Sequence, residues 1–254
     1  MLNMISHGAP SSENQPPLII AHGLFGSARN WGVIANRLSD TRQVIAVDMR
    51  NHGNSPWMED QTYPAMAEDL QEVIAEIGGP VDLLGHSMGG KAAMVAALGG
   101  ANLRRLIVAD IAPVSYGHTQ QHHIDALQAL PLDKIITRTD ADKFLARTVE
   151  DPTIRSFLLQ SLNLVDKSWR LNLAAITKDM IKILSFPTVT GAFEGSSLFL
   201  TGAASDYVRS EHRPMIKIHF PKARFAKIPK AGHWLHAERP RAFEAAVRVF
   251  LDAF

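Results

Sequence analysis

Short runs of apolar residues, bounded by Gly, Asp or Pro, recur along the chain. They occupy residues 18–22, 44–48, 81–84, 106–110 and 198–200. Runs this short and this uniformly apolar are typical of parallel strands that are covered on both faces. Between them, residues 63–77 and 92–98 have apolar positions at helical spacing. The alternation of strand and helix predicts an α/β fold, with a mostly parallel central sheet flanked by helices.

The alternation stops after Pro113 and resumes at Ser197. The intervening chain shows helical patterns, and no convincing strand, at 119–130, 140–149, 153–161 and 169–184. Prolines mark the breaks between these patterns at positions 131, 152 and 187. The last stretch, 240–254, again has apolar residues at helical spacing. We therefore predict a core formed by residues 1–114 and 187–254, interrupted by a helical cap at 115–186.

Composition narrows the class of protein. A chain of 254 residues is long enough for one domain with an insertion, and 46% hydrophobic residues allow it to bury a large core. The formal net charge is +1 and the charges are interspersed, so no basic stripe could neutralise a phosphate backbone. We expect no nucleic acid partner. The chain has no cysteine, which excludes disulfides, thiolate metal sites and cysteine nucleophiles.

Hydropathy predicts neither a secretory leader nor a membrane span. Residues 1–17 lack a basic stretch followed by an apolar stretch of signal-peptide length. No later run reaches the roughly 18 apolar residues that a membrane span requires. We therefore expect a cytoplasmic protein. No coiled-coil heptad is evident, so the pattern does not indicate an oligomeric state.

A nucleophile motif, Gly-His-Ser-Met-Gly at residues 85–89, follows the apolar run 81–84 and precedes a helix-forming stretch. This strand–turn–helix setting is the one that the G-x-S-x-G motif requires. A serine on so sharp a turn has a strained backbone, and the flanking glycines let neighbouring chains approach. We predict Ser87 as the nucleophile and the backbone N–H of Met88 as an oxyanion donor. Taken alone, the pentapeptide would fit a plain strand-to-helix turn equally well.

A second glycine-containing loop, His-Gly-Leu-Phe-Gly-Ser at residues 22–27, follows the first apolar run. Its glycines permit a tight turn whose backbone N–H groups can face a ligand. We predict Leu24 as the second oxyanion donor. Each such donor stabilises the developing charge by roughly 3 kcal/mol. His22 is interpreted as a structural residue that holds the loop by hydrogen bonds.

One histidine occupies the position that suits a general base. His233 comes late in the chain, after the strand-like residues 225–228 and before the last helix. In the chain order Ser, acid, His, this is the place of the base. His236 is expected to pack or hydrogen-bond nearby.

Two further groups of polar residues carry chemistry that could bind a ligand. The histidines at positions 118, 122 and 123 lack a matching carboxylate spacing, so we predict no metal site. The polar loop at 48–55 follows a strand, and its expected role is architectural, although His52 could approach the site.

Two residues compete for the role of the acid that supports the base. Asp110 ends the run 106–110 and would lie at the carboxyl edge of the sheet, where such folds place their chemistry. Asp206 follows the later run 198–200, but a G-x-x-D pattern there would place the acid at Ser205. We favour Asp110 over Asp206, with Ser205 as an auxiliary group that could hydrogen-bond the histidine. The alternative role for Asp110 is to cap the turn that follows it.

Four stretches together carry a family resemblance. They read HGLFGS, DMRNHGNS, GHSMGGK and DIAPV, beginning at residues 22, 48, 85 and 110. They resemble the bacterial YbfF esterases and their mammalian abhydrolase-11 relatives, and the resemblance spans nearly the whole chain. It implies an α/β-hydrolase core with a helical cap, ester or thioester hydrolysis and no cofactor.

The resemblance also bears on the acid. In that group the acid follows the earlier strand, which matches Asp110, and a serine occupies the later acid position, which matches Ser205. This chain departs from the group at Asp206, where a proline is expected, and the departure leaves a shifted acid open.

We therefore expect a small-molecule acyl ester substrate and a covalent acyl-enzyme on Ser87. A preference for short to medium acyl chains is expected because the cap offers apolar side chains. These are Phe144, Leu145, Phe157, Leu158, Leu159 and Trp169. The alternative substrate is an acyl thioester such as acyl-CoA. Other triad chemistry and a non-catalytic binding protein on the same scaffold also stay open, because a fold does not fix a function.

Overall fold

The computed structural model describes residues 1–10 and 15–253, and its strands follow the predicted order. The strands are β1 (Met4–His7), β2 (Leu18–Ala21), β3 (Val44–Val47), β4 (Val81–His86), β5 (Leu103–Ala109), β6 (Leu162–Asn163), β7 (Ser168–Trp169), β8 (Ser196–Gly202) and β9 (Ala223–Ile228). Seven of them form one sheet in the spatial order β1-β3-β2-β4-β5-β8-β9, and β6 pairs with β7. Every pairing in the large sheet is parallel except that of β1 with β3. The predicted, mostly parallel sheet is confirmed.

Helices cover both faces of this sheet. They are α1 (Gly32–Leu38), α2 (Tyr63–Ile77), α3 (Met88–Leu98), α4 (Gln121–Gln128), α5 (Arg138–Leu145), α6 (Pro152–Leu158), α7 (Leu173–Lys178), α8 (Met180–Leu184), α9 (Arg213–His219), α10 (Leu235–Glu238) and α11 (Pro240–Leu251). Short 3₁₀ turns occur at Ala28–Trp31, Leu132–Lys134, Leu159–Ser161 and Ser210–His212. One core cluster lies between the sheet and α2, α3 and the helices α4–α8, and a second lies between the sheet and α1 and α11.

The register of the parallel strands brings their carboxyl ends to one edge of the sheet. Ala21 of β2 pairs with Gly85 of β4, and His86 pairs with Ala109 of β5. Ala109 in turn pairs with Leu200 of β8. The residues that follow these strands therefore emerge side by side, which is where an open α/β sheet binds its ligands.

Several elements were not anticipated from the hydrophobic pattern. The edge strand β1 is short and alternates between half-buried and exposed positions, so it lacks the apolar run of a central strand. The β6–β7 hairpin has only two residues in each strand, and the short helices α1, α9 and α10 are further additions. The expected helix at 169–184 is divided into α7 and α8 at Asp179, whose buried carboxylate accepts the backbone N–H of Gln61.

The helices α4–α8 lie between β5 and β8 along the chain. The division into a core at 1–114 and 187–254 and a cap at 115–186 stays a prediction. Among the helices of residues 1–10 and 15–253, none is both long enough and apolar enough to cross a membrane.

Four histidines, His22, His52, His86 and His236, are buried close to the carboxyl edge of the sheet. Burial is the main cause that lowers the pKa of each one. The pKa falls to about 3 for both His52 and His236. All four are therefore neutral in the folded protein at neutral pH.

These histidines should make the fold unstable in acid. Their pKa lies below 6.5 in the folded chain, so the unfolded chain binds more protons as the pH decreases below that value. The free energy of unfolding should then fall by roughly 1.4 kcal/mol per pH unit for each histidine that stays neutral. Urea denaturation at several pH values between about 5 and 7 measures the slope.

His236→Phe provides the control, since a phenyl ring can keep the flat stack that His236 makes on Trp31 at 4.1 Å. The variant should lose about one histidine's share of the slope. A slope equal to that of the wild type would contradict the assignment of neutral His236.

Candidate active site

Ser87 stands on the turn between β4 and α3, with a left-handed φ of +52°. Its backbone N–H donates to the Ala109 carbonyl at 3.0 Å, which ties the turn to β5. The turn is closely packed. A Cβ on Gly89 would lie 2.4 Å from the carbonyl oxygen of Ala21, and one on Gly85 would lie 2.3 Å from the carbonyl oxygen of Gly89. The glycines at these two positions are thus required by the approach of neighbouring backbone.

A chain of hydrogen bonds leads from this serine into the protein. His233 Nε2 lies 3.0 Å from Ser87 Oγ, and His233 Nδ1 lies 2.8 Å from Asp110 Oδ2. Because a carboxylate only accepts, Nδ1 carries the proton and Nε2 is left to accept from the serine hydroxyl. Asp110 is fully buried, and its Oδ1 accepts the Gly202 backbone N–H at 3.0 Å. The structure thus brings Ser87, His233 and Asp110 together.

Ser205 and Asp206, in the loop after β8, do not occupy the positions that the sequence suggested for them. Asp206 is exposed, whereas the Nδ1 of His233 is engaged by Asp110. Ser205 was expected to hydrogen-bond the histidine, and this expectation is wrong. Its hydroxyl donates to Asp110 Oδ2 at 2.5 Å, and both nitrogens of His233 already have other partners. Ser205 therefore contacts the acid and not the base.

The predicted oxyanion donors, Leu24 and Met88, both line the cavity in front of Ser87. Within the described part of the chain, neither of their backbone N–H groups donates to a protein acceptor. The two loops are close, since a Cβ on Gly23 would lie 3.2 Å from Ser87 Cβ. Two free N–H groups beside a serine are the arrangement that an oxyanion requires.

Two buried histidines hold the loop that carries Leu24. His22 donates from Nδ1 to the Gly23 carbonyl at 2.8 Å and accepts the Met49 N–H on Nε2 at 2.9 Å. His52 Nε2 accepts the Phe25 N–H at 3.2 Å. Each acceptor nitrogen must be unprotonated, which agrees with the lowered pKa of both rings. His22 is thus placed as the structural residue expected, and His52 supports the loop from the turn that follows β3.

A cavity of about 330 Å³ opens in front of Ser87. Its apolar walls come from Leu24, Phe25, Tyr63, Met88, Ile111, Tyr116, Ile154, Phe157, Leu158, Ile183 and Leu184. Of the apolar cap residues named from the sequence, Phe157 and Leu158 line the cavity. The other four pack in the core cluster beneath it.

Lys91 is a charged cavity residue to which the sequence analysis assigned no role. Lys91, one turn after Ser87 on α3, is almost fully buried and donates to the carbonyls of Leu184 and Ser185 at 2.9 and 2.6 Å. Burial lowers its pKa to about 7. It also lies over the rings of Tyr63 and Tyr116. The available signal was a single charge in an otherwise apolar helix.

The histidines at 118, 122 and 123 serve other contacts. His118 shares a hydrogen bond with the Tyr207 hydroxyl, and His123 shares one with Gln120, each at 2.8 Å. The rings of His122 and His123 lie 3.9 Å apart. Over residues 1–10 and 15–253, no three His, Cys, Asp or Glu side chains are grouped as metal ligands would be.

The chain is similar to a known protein family and to several of its members. The model of the alpha/beta hydrolase family matches residues 18–246. The sn-1-specific diacylglycerol lipase ABHD11 of Mus musculus is 40% identical over 250 residues, covering 93% of this chain and 81% of that protein. Esterase YbfF of Escherichia coli (strain K12) is 37% identical over 255 residues and covers 99% of both chains.

A solved structure agrees with these relatives. A marine microorganism esterase superposes with a TM-score of 0.92 at 39% identity, and 98% of each chain is covered. The residues matched by the family model, 18–246, include the serine turn. The chain therefore belongs to the α/β-hydrolase family, is of the YbfF type within it, and is a serine ester hydrolase.

Proposed function

We propose that the chain hydrolyses carboxylic esters with Ser87 as nucleophile, His233 as general base and Asp110 as the acid that supports the base. The observation that carries the proposal is the unbroken hydrogen-bond chain from Ser87 Oγ through His233 to Asp110, at 3.0 and 2.8 Å. Ser87, where this hydrogen-bond chain begins, lines an apolar cavity. A buried carboxylate with an oriented imidazole is what a serine hydroxyl needs to become a nucleophile.

In the acylation step, Ser87 Oγ attacks the ester carbonyl while His233 Nε2 takes the hydroxyl proton. A bond forms between Oγ and the carbonyl carbon, and the carbonyl oxygen becomes an oxyanion. His233 then gives the proton to the leaving alcohol as the ester bond breaks. An acyl-enzyme remains on Ser87.

In the deacylation step, His233 takes a proton from water, which attacks the acyl carbon. Release of the carboxylic acid returns the proton to Ser87. Throughout, Asp110 fixes the tautomer of His233 and stabilises the positive ring. Ser205 donates to Oδ2 of Asp110 and the Gly202 N–H donates to Oδ1, so both oxygens of the carboxylate are held in place.

The oxyanion is assigned to the N–H groups of Leu24 and Met88, which would each stabilise the transition state by roughly 3 kcal/mol. His22 and His52 make this stabilisation available in advance, because they fix the loop before substrate binds. A preorganised donor needs no rearrangement when charge develops.

The substrate is proposed to be an ester with a short to medium acyl chain. A cavity of about 330 Å³ with apolar walls lies at the lower end of the range for small-molecule sites. The mouse relative is named as a diacylglycerol lipase, so esters of glycerol form one class to include among the candidates.

The variant Ser87→Ala should abolish hydrolysis. We expect kcat to fall by on the order of 10³-fold or more, because no other group can form the acyl-enzyme. Release of p-nitrophenol from the acetate, butyrate and octanoate esters measures it, after circular dichroism has shown that the variant is folded. Activity that survives in the variant would contradict the proposal, and equal turnover of acetate and long-chain esters would contradict the expected chain-length preference.

The variants Asp110→Asn and Asp206→Asn form a matched pair that assigns the acid. We expect Asp110→Asn to lower kcat by on the order of 10⁴-fold, because an amide favours the wrong tautomer of the base. Asp206→Asn should keep kcat within about twofold, since its side chain is exposed. The opposite result would assign the acid to Asp206.

A further inference from the structure

We propose that Tyr207 is a positioning residue for the base: its ring lies flat on the imidazole of His233, holds the ring plane and stabilises the charge that the ring acquires during catalysis. This inference rests on the proposed function, because it concerns how the same base is held.

The contact is a parallel stack. The ring centroids of Tyr207 and His233 lie 3.9 Å apart, with 18° between the planes. The rings of His86 and Trp234 also approach His233, at 4.8 and 6.0 Å, but they are tilted by 41° and 64°. Among the described residues, Tyr207 alone lies nearly parallel to the ring of the base.

The two hydrogen bonds of His233 restrain its two nitrogens, but each bond tolerates some tilt of the imidazole plane. A flat ring at van der Waals distance limits that tilt. Small errors in the placement of a reacting group reduce the rate strongly, so this restraint bears on the chemical step.

The stack also favours the charged form of the base. When His233 takes the serine proton it becomes a cation, and the face of an aromatic ring attracts a cation. This attraction appears only as the transition state forms, so it lowers the barrier and leaves substrate binding unchanged. Burial raises the pKa of Tyr207 to about 12, which keeps its hydroxyl protonated and its ring neutral.

Tyr207 is itself held at three points. Its hydroxyl shares a hydrogen bond with His118, its carbonyl accepts the Tyr116 hydroxyl at 2.8 Å, and its N–H donates to Ser205 Oγ at 3.3 Å. Since Ser205 also donates to Asp110, one loop after β8 restrains both the acid and the base. His118 belongs to the predicted cap, so the stack also joins that segment to the base.

The test compares Tyr207→Phe with Tyr207→Leu, which differ in whether a flat ring remains. For Tyr207→Leu we expect kcat to fall about tenfold, by the same factor for p-nitrophenyl acetate, butyrate and octanoate, with KM within about twofold. Tyr207→Phe should keep most of the wild-type kcat, because it retains the ring and loses only the hydroxyl. Urea denaturation of both variants checks that they are folded.

Three kinetic results would overturn the proposal. An unchanged kcat in Tyr207→Leu would show that the stack does not affect the chemistry. A loss that varies with acyl length would make Tyr207 a wall of the acyl pocket instead. Equal damage in Tyr207→Phe would assign the effect to the hydroxyl and His118.

A proton NMR measurement on the wild type does not depend on the Leu variant folding. A ring stacked on a phenol has its carbon-bound protons shifted upfield, and comparison with His233→Gln identifies the signals of His233. We expect the shift in the wild type and in Tyr207→Phe, and its absence from the wild type would overturn the proposal. The spectrum needs no turnover, so its failure is distinguishable from the failure of ester hydrolysis tested with Ser87→Ala.

Discussion

The close approach of the turn after β4 to the chain leaving β2 is the constraint on which the rest of the site depends. A single carbon on Gly89 would collide with the carbonyl of Ala21, so the two backbones can meet only through glycine. This contact holds Ser87 in its left-handed conformation and places Leu24 beside it. Parallel register then sets Asp110 one strand further along the same edge.

The buried histidines beside this contact are paired with neutral main-chain groups. His22 and His52 exchange hydrogen bonds with main-chain groups of the loops that they hold. Neutral rings avoid the large desolvation cost of a buried charge. Each hydrogen bond to a ring nitrogen also restricts the motion of the loop. The same burial that makes the fold sensitive to acid therefore keeps the loop in place for the substrate.

Much of this arrangement could be predicted because it is local in the sequence. Buried parallel strands appear as apolar runs, and the Gly-His-Ser-Met-Gly turn and the late position of His233 are visible directly. The choice between Asp110 and Asp206 was harder, because it depends on how loops from two strands are placed in space. Tyr207 gave no signal at all, since a stack on a ring 26 positions away leaves no periodicity.

Lys91 attaches the segment that returns from α8 to the helix that carries the nucleophile, and it does so through main-chain carbonyls alone. The acceptors are present whatever side chains stand at 184 and 185. That stretch of the cavity wall can consequently exchange its side chains, and with them the shape offered to a substrate, without detaching from the helix of the serine. The side chains of this segment set which substrates fit, whereas its main-chain carbonyls hold it to the helix of the serine.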